Sequence, residues 1–209
     1  MDPTPIWQAP EPRLVLASTS PARAALLEAC GLAFETRSPA VDETAVLAAL
    51  RAEGARAEDA AVLLAELKAR SVSARVTDED LVLGADQILE VEGSWLEKPA
   101  DVAAARAQLS RLRGRAHRLV TAVVALRAGA RIWHAVDAAE LVVRPFSDAF
   151  LDAYLARCGP TVLGSCGAYR LEAEGAHLMA EVRGDQFTIR GLPLLPLLAF
   201  LRDQRVLLA

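Results

Sequence analysis

The sequence has few of the residues that build disulfide frameworks or zinc centres. It contains three cysteines, Cys30, Cys158 and Cys166, with no CxxC pair, and three scattered histidines among 209 residues. Disulfide scaffolds need several paired cysteines, and structural zinc needs closely spaced cysteine and histidine ligands. The scarcity of cysteine and histidine argues against a disulfide scaffold and a structural zinc site, and it favours the reduced environment of the cytoplasm.

The sequence also lacks a strong charge of one sign and a long apolar run. Its formal net charge is -4, and its acidic and basic residues are interspersed. A protein that binds the phosphate backbone of nucleic acid needs a basic surface. We therefore expect no nucleic-acid partner. No apolar run approaches the length of a membrane span, and the N-terminus does not show a signal-peptide pattern, so we expect no membrane association.

The composition predicts one substantial hydrophobic core. Hydrophobic residues make up 53% of the chain, and we find no internal repeat, low-complexity block or linker. Residues 1–12 are rich in proline and predict a flexible leader, whereas residues 13–209 predict a single domain.

Strand-like and helix-like segments alternate along the predicted domain. Short apolar runs predict strands near 13–17, 34–36, 81–83, 119–126, 132–143, 177–182 and 186–189. Capping residues and helical spacing predict helices near 21–30, 46–51, 58–75, 102–112, 148–158 and 194–204. Crossovers and hairpins together favour an α/β fold, with one mixed sheet and helices on its faces.

The segment at residues 81–99 carries the first candidate site residues. The apolar run before Gly84 predicts a buried strand, which places Asp86 in the turn that follows, where open α/β sheets bind ligands. The Glu-Gly pair at 92–93 predicts a hairpin that would return Lys98 toward Asp86. An acid and an amine together suit an anionic substrate and a water that needs activation. The alternative is that Asp86 caps a turn and Lys98 is solvated surface.

A second candidate site is the segment STSPAR, residues 18–23, between a predicted strand and a predicted helix. The N-terminus of a helix presents unpaired N–H groups and the positive end of its dipole, so it binds phosphate oxygens readily. Ser18, Ser20 and Arg23 would then contact a phosphate, Arg23 through a forked contact. Capping alone also explains Ser20 and Pro21.

Two further charged residues complete the candidate set. Glu43 follows Asp42 in a predicted loop, and together with Asp86 it would offer the oxygen ligands that Mg²⁺ or Mn²⁺ prefers. Lys68 lies in the predicted helix 58–75. The alternative for each is a solvated side chain, which is the default for a loop carboxylate and for a helix lysine.

The order of the motifs resembles one known family. Segments from Leu14 to Leu201 resemble the Maf family of nucleoside triphosphate pyrophosphatases: LVLASTSPARAALLEACGLAFE, VDE, ELKA, LVLGADQILEVEG, EKP, LRGRAHRLVTAVVAL, GSCGAYRLEAEGA and GLPLLPLLAFL. The resemblance implies an elongated mixed β-sheet flanked by helices, with two lobes around a cleft, as in the inosine triphosphate pyrophosphatases. It also implies a possible homodimer.

The resemblance further implies a reaction and roles for individual residues. A nucleoside triphosphate would be hydrolysed between its α and β phosphates, giving the monophosphate and pyrophosphate, with a divalent cation. Arg23 would hold phosphate, and Glu43 and Asp86 would serve the metal and the water. Lys68 and Lys98 would neutralise phosphate charge. We therefore expect in-line attack of water on the α-phosphorus.

At two positions, the chain resembles the branch of the family that acts on 7-methyl-GTP. That branch usually carries Asp-Gln and a later glutamate, matched here by Gln87 and by Glu172, three residues after Tyr169. The cationic 7-methylguanine base, whose N1–H and N2–H₂ edge donates hydrogen bonds, suits a carboxylate. The alternative is the dTTP and UTP branch, which usually carries Asp-Thr and a later glutamine.

Some positions depart from the family pattern. Ala22 replaces the first arginine of the usual SPRR, Glu97 replaces the glycine before Lys-Pro, and Glu174 adds an acid near the expected base pocket. Ala22 and Glu97 are the support for a second hypothesis, a nucleotide-binding regulator with little turnover, whereas Glu174 offers another acid for the role assigned to Glu172. A serine hydrolase is disfavoured because GSCG around Ser165 is not a GxSxG elbow. His117 is expected to be packed rather than catalytic.

Overall fold

Strands and helices alternate in the computed structural model, which describes residues 7–209. The strands are β1 (Leu14–Ala17), β2 (Glu35–Thr36), β3 (Leu81–Val91), β4 (Ser94–Leu96), β5 (Ala116–Arg127), β6 (Ala130–Val143) and β7 (Met179–Arg183). The α-helices are α1 (Pro21–Ala29), α2 (Glu43–Ala52), α3 (Ala57–Ser73), α4 (Val102–Leu112), α5 (Asp148–Cys158), α6 (Gln186–Ile189) and α7 (Leu194–Asp203). Within residues 7–209, no helix has the length and apolar character needed to cross a membrane.

The strands form one mixed sheet. Its order is β2-β1-β3-β5-β6-β7, and β4 pairs with β3 beside this path. β1 is parallel to both β2 and β3, whereas β3 with β4 and β6 with β7 are antiparallel pairs. The predicted α/β class, a mixed sheet flanked by helices, is confirmed.

The chain divides into two compact units. The first unit runs to Gln87 and includes Thr121–Asp137 and Gly191–Ala209. The second unit comprises Ile88–Val120 and Ala138–Arg190. Most candidate site residues lie in the first unit, and Lys98 and Glu172 lie in the second.

In the first unit, the backbone of α3 lies very close to β3. A Cβ atom added to Gly84 would lie 2.1 Å from the carbonyl oxygen of Ala65, so only glycine fits there. Gly84 therefore marks a close approach of helix to strand, and β3 continues through it to Val91. The prediction that the strand ends at Gly84 and leaves Asp86 in a turn is wrong, because Asp86 is a residue of β3.

The hairpin between β3 and β4 is confirmed. Leu89 pairs with Leu96 and Val91 with Ser94, which leaves two residues in the turn. Glu92 and Gly93 both have positive φ, 50° and 70°, as this type of tight turn requires.

The core of the second unit packs α4 and α5 against strands and against short 3₁₀ segments. Its buried residues include Leu109 and Leu112 of α4, Leu151 of α5, and Tyr169. The strand predicted at 186–189 is wrong: these residues form α6, whose first turn is capped by Asp185, accepting from the N–H of Thr188 at 3.1 Å.

The predicted leader is described only in its second half, since residues 1–6 lie outside the described residues. The side chain of Gln8 accepts from the N–H of Ala33 and donates to its carbonyl, both at 2.8 Å. The N–H of Ala9 donates to the carbonyl of Val206 at 2.8 Å. Residues 8 and 9 are therefore hydrogen-bonded to the first unit, and a leader of residues 1–12 beside one domain stays a prediction.

Candidate active site

The N-terminus of α1 gathers three of the candidate residues. Ser18 follows β1 directly and is buried. Its Oγ accepts from the N–H of Ser20 at 3.1 Å and from an Nη of Arg23 at 3.3 Å, while Arg23 Nε donates to the carbonyl of Gly191 at 2.8 Å. Ser20 is the N-cap residue, and its side chain makes no capping bond in the described chain. The guanidinium of Arg23 is thus fixed beside the helix N-terminus.

Glu43 lies at the start of a helix rather than in a loop. Asp42 is the N-cap of α2 and accepts from the N–H of Ala45 at 3.0 Å, so the helix begins one residue later, at Glu43. The prediction of a loop without a capping role is wrong for this pair. A carboxylate in the first turn is stabilised by the helix dipole, and the helix start fixes the backbone of Glu43.

Glu43, Lys68 and Asp86 form one ion-paired cluster. Lys68 Nζ donates to Glu43 Oε2 at 2.8 Å and to Asp86 Oδ1 at 2.5 Å. The side chains of Lys68 and Asp86 are 7% and 8% exposed, whereas that of Glu43 is 48% exposed. One buried amine therefore joins a buried carboxylate to one that is open to solvent.

Burial disfavours the charge of Asp86, and two neighbouring cations favour it. Burial raises the pKa of the Asp86 carboxyl above its ordinary value because it penalises the charged form. The positive charges of Lys68 and Arg23 oppose this rise, and the negative charge of Glu43 adds to it. Asp86 thus lies within electrostatic range of both cations, and positive charge there favours the carboxylate.

The burial of Lys68 differs from the default for a helix lysine. It lies on the face of α3 that also carries Ala61, Leu64, Ala65 and Val72, all buried. The solvated alternative for Lys68 is therefore wrong. The signal was in the sequence, because Lys68 interrupts an apolar series of helical period, and a cation there needs a buried partner.

Two carboxylates held this close suit a hard divalent cation. Mg²⁺ commonly uses one or two protein carboxylates and takes its other ligands from water and substrate phosphates. Within residues 7–209, no group of three or more His, Cys, Asp and Glu side chains forms a candidate metal site. Glu43 and Asp86, both bonded to the same amine, are carboxylates of the kind that such a cation uses.

Gln87 is held by a residue that the sequence analysis did not identify. Its Nε2 donates to Oγ1 of Thr121 at 2.8 Å, and Thr121 is fully buried in β5. The bond restricts rotation of the carboxamide at the position that is predicted to distinguish the branches of the family.

Lys98 and Glu172 lie on connecting segments of the second unit. Lys98 follows β4, and Glu172 lies in the turn after Tyr169; both are exposed. The hydroxyl of Tyr169 hydrogen-bonds to Nε2 of His117 at 2.6 Å. His117 is buried, which lowers its pKa to about 4, so the expectation of a packed residue is confirmed.

The structure thus brings Glu43, Lys68 and Asp86 into contact, with Arg23 close enough to influence the charge of Asp86. Ser18 and Ser20 lie with Arg23 at the N-terminus of α1, and Gln87 follows Asp86 in the same unit. Lys98 and Glu172 belong to the second unit.

Close relatives carry names that indicate an activity. A nucleoside triphosphate pyrophosphatase of Rhodospirillum rubrum is 49% identical over 198 residues, which cover 95% of this chain and 98% of the relative. One of Paramagnetospirillum magneticum is 52% identical over 189 residues, covering 90% and 97%. A 7-methyl-GTP pyrophosphatase of Rhizobium meliloti is 47% identical over 193 residues, covering 92% and 96%.

A family model agrees with these relatives. The model, described as Maf-like protein, matches residues 13–204, which is nearly the whole chain. The resemblance that the motifs indicated is therefore confirmed, and the chain belongs to the Maf family.

Proposed function

We propose that this protein is a nucleoside triphosphate pyrophosphatase that hydrolyses the bond between the α and β phosphates. The observation that carries the proposal is the cluster of Glu43, Lys68 and Asp86, in which a buried amine holds two carboxylates together. The names of the relatives agree with this reaction class. The products would be the nucleoside monophosphate and pyrophosphate.

Phosphate binding is assigned to the N-terminus of α1. Arg23 is held by the carbonyl of Gly191 and by Ser18, so its guanidinium needs little reordering to meet phosphate oxygens. Ser20 and the first N–H groups of α1 offer further donors to an anion. These groups would hold the triphosphate in one orientation before reaction.

Water attack is assigned to the two carboxylates. A water held by Glu43 or Asp86 gives a proton to that carboxylate as its oxygen bonds to the α-phosphorus, and the bond from phosphorus to the bridging oxygen breaks. The pyrophosphate leaves with the bonding electrons. Lys68 keeps the two acids together and, like Arg23, stabilises negative charge on the phosphates. Lys98 keeps the role that the family resemblance implies, neutralising phosphate charge.

A divalent cation, Mg²⁺ or Mn²⁺, is proposed to bind Glu43 and Asp86. When bound, it would neutralise phosphate charge and polarise the reacting phosphoryl group. The exposure of Glu43 leaves this carboxylate accessible to a cation that enters with the nucleotide.

The substrate that we favour is 7-methyl-GTP or another modified nucleotide. Gln87 and Glu172 stand where the matching branch of the family carries its glutamine and glutamate, and a relative that is 47% identical is named for this nucleotide. A carboxylate attracts a cationic base and accepts from its donor edge, whereas it repels the O4 oxygen of a pyrimidine. The canonical pyrimidine triphosphates dTTP and UTP are the second candidate.

The cellular setting is also a proposal. All three cysteines are free thiols in the structure, which accords with the reduced cytoplasm. A homodimer remains an expectation from the family.

The test is a panel assay with purified protein, Mg²⁺ or Mn²⁺, and 7-methyl-GTP, GTP, dTTP, UTP and CTP. Pyrophosphate and orthophosphate are assayed separately. We expect pyrophosphate, with 7-methyl-GTP as the best substrate. Preference for UTP or dTTP would retain the reaction class and reject the assignment of Gln87 and Glu172. Tight nucleotide binding without turnover of any nucleotide would favour the alternative of a nucleotide-binding regulator.

A further inference from the structure

One side chain of the second unit contacts the two backbone segments that lead to Lys98 and to Glu172. Gln108, half-buried on α4, donates from Nε2 to the carbonyl of Glu97 at 2.8 Å. Its Oε1 accepts from the N–H of Gly167 at 3.0 Å. Both polar ends of one carboxamide are therefore used, each on a different stretch of backbone.

The first of these stretches leads directly to Lys98. β4 is three residues long and ends at Leu96, so Glu97 lies beyond its pairing with β3. The bond from Gln108 fixes the carbonyl of Glu97 and hence the start of the peptide that leads to Lys98. Because Lys98 is exposed, this backbone contact limits where its amine can reach.

The second stretch leads to Glu172. Gly167 and Ala168 have positive φ values of 77° and 60°, so this turn needs outside support. A Cβ atom on Gly167 would lie 2.6 Å from a methyl of Leu89 and 2.9 Å from the ring of Tyr169, which shows how closely the turn packs. Gln108 supplies the turn with a hydrogen bond, and Glu172 follows five residues after Gly167.

We propose that Gln108 is a positioning residue that fixes the backbone segments leading to Lys98 and to Glu172, an inference that rests on the proposed function. Glutamine suits this role because its carboxamide offers a donor and an acceptor at once. Glutamate keeps the acceptor for Gly167 but offers no donor to Glu97, and leucine offers neither. Gln108→Glu therefore removes the contact with Glu97 alone, whereas Gln108→Leu removes both contacts.

The experiment compares Gln108→Glu, Gln108→Leu and wild type, with 7-methyl-GTP and GTP as substrates and Mg²⁺ present. Lys98→Met and Glu172→Gln provide the reference profiles, and Ser110→Ala, exposed on the same helix, is the matched control. For each variant, kcat, KM and the melting temperature are recorded. The preference is the ratio of kcat/KM for 7-methyl-GTP to that for GTP.

We expect Gln108→Glu to lower activity alone and Gln108→Leu to lower both activity and substrate preference. Gln108→Glu should lower kcat/KM about tenfold on both nucleotides and keep the preference within about twofold of wild type, as Lys98→Met does, since a misplaced group slows a reaction. Gln108→Leu should lower kcat/KM by a similar factor and also reduce the preference about fivefold, toward that of Glu172→Gln. Ser110→Ala should match wild type.

Two results would overturn the inference while leaving the proposed function intact. In the first, Glu172→Gln changes the preference but neither Gln108 variant changes kcat/KM or the preference. In the second, both Gln108 variants lose activity equally on both nucleotides in proportion to a lower melting temperature, as a purely structural residue would. A wild-type protein that releases no pyrophosphate from any nucleotide would instead reject the proposed function, and the inference with it.

Discussion

The candidate site residues of the first unit and those of the second are held in different ways. Glu43, Lys68 and Asp86 lie on two helices and a strand, and the amine of Lys68 bonds directly to both acids. Lys98 and Glu172 lie on exposed connecting segments, whose backbones are supported by Gln108 and by the pair of His117 and Tyr169.

The difference matches the tasks that we assign to the two groups. Water activation needs charges at fixed positions, and groups on regular elements, two of them the buried Lys68 and Asp86, meet that need. Recognition of a variable base needs groups that are open to solvent, and a turn provides them. Substitutions in the first set should therefore change both rate and stability. In the second set, substitution of Glu172 should change mainly the substrate preference and substitution of Lys98 mainly the rate, with little effect on stability.

The largest effect is expected from Lys68→Met. The change leaves Asp86 buried without its cation and should lower kcat/KM about 10³-fold. It should also lower the free energy of unfolding by about 3 kcal/mol. Steady-state kinetics and urea denaturation measure the two effects. Lys98→Met is the matched control, since its amine is exposed, and its unfolding free energy should change by less than about 0.5 kcal/mol. Equal effects of the two substitutions would remove the contrast between the units.

Lowering the pH should reduce the free energy of unfolding through His117 in the second unit, a smaller effect than that of Lys68→Met on activity. His117 is neutral when folded, because burial lowers its pKa from 6.5 to about 4. Between these values the unfolded chain binds a proton that the folded chain does not, so stability present above pH 6.5 is lost as the pH falls to about 4. The loss should approach about 3 kcal/mol.

Urea denaturation of wild type and His117→Phe across this pH range measures the effect of His117. The variant should be less stable at neutral pH, where the bond to Tyr169 is lost, but its stability should decline less on acidification. An identical decline in both proteins would show that His117 does not titrate as the structure indicates.

The smallest effect concerns substrate preference. Glu172→Gln should reduce the preference for 7-methyl-GTP over GTP about tenfold, equivalent to about 1.4 kcal/mol, and leave kcat on GTP nearly unchanged. Glu174→Gln is the matched control, since Glu174 lies two residues away and pairs with Arg157 at 3.4 Å. Competition assays with both nucleotides measure the ratio. A larger effect from Glu174 than from Glu172 would transfer the recognition role to the neighbouring acid.

Local signals predicted much of the fold. The Glu-Gly pair at 92–93 predicted the hairpin, and Asp101 and Ser147 predicted the starts of α4 and α5, where each caps its helix. These features depend on residues close in sequence, whose capping and turn preferences are strong. The family motifs predicted the membership that the family model confirms.

Features that depend on distant contacts were not predictable in this way. Gly84 has the appearance of a strand end, and only the carbonyl of Ala65 shows why glycine is needed inside β3. Helical spacing marks Lys68 for burial, but its acidic partners are 25 and 18 residues away, so the sequence does not show which carboxylates it meets. Thr121 and Gln108 carried no motif, because Thr121 bonds Gln87, 34 residues away, and Gln108 bonds backbone groups 11 and 59 residues away.

The most direct test of the central claim is hydrolysis of 7-methyl-GTP in H₂¹⁸O by wild type and by Asp86→Asn, with the products analysed by ³¹P NMR. We predict monophosphate and pyrophosphate from wild type, with ¹⁸O in the monophosphate only, and no measurable product from the variant. Label in pyrophosphate or orthophosphate, or a variant as active as wild type, would contradict attack at the α-phosphorus by a water that Asp86 helps to activate.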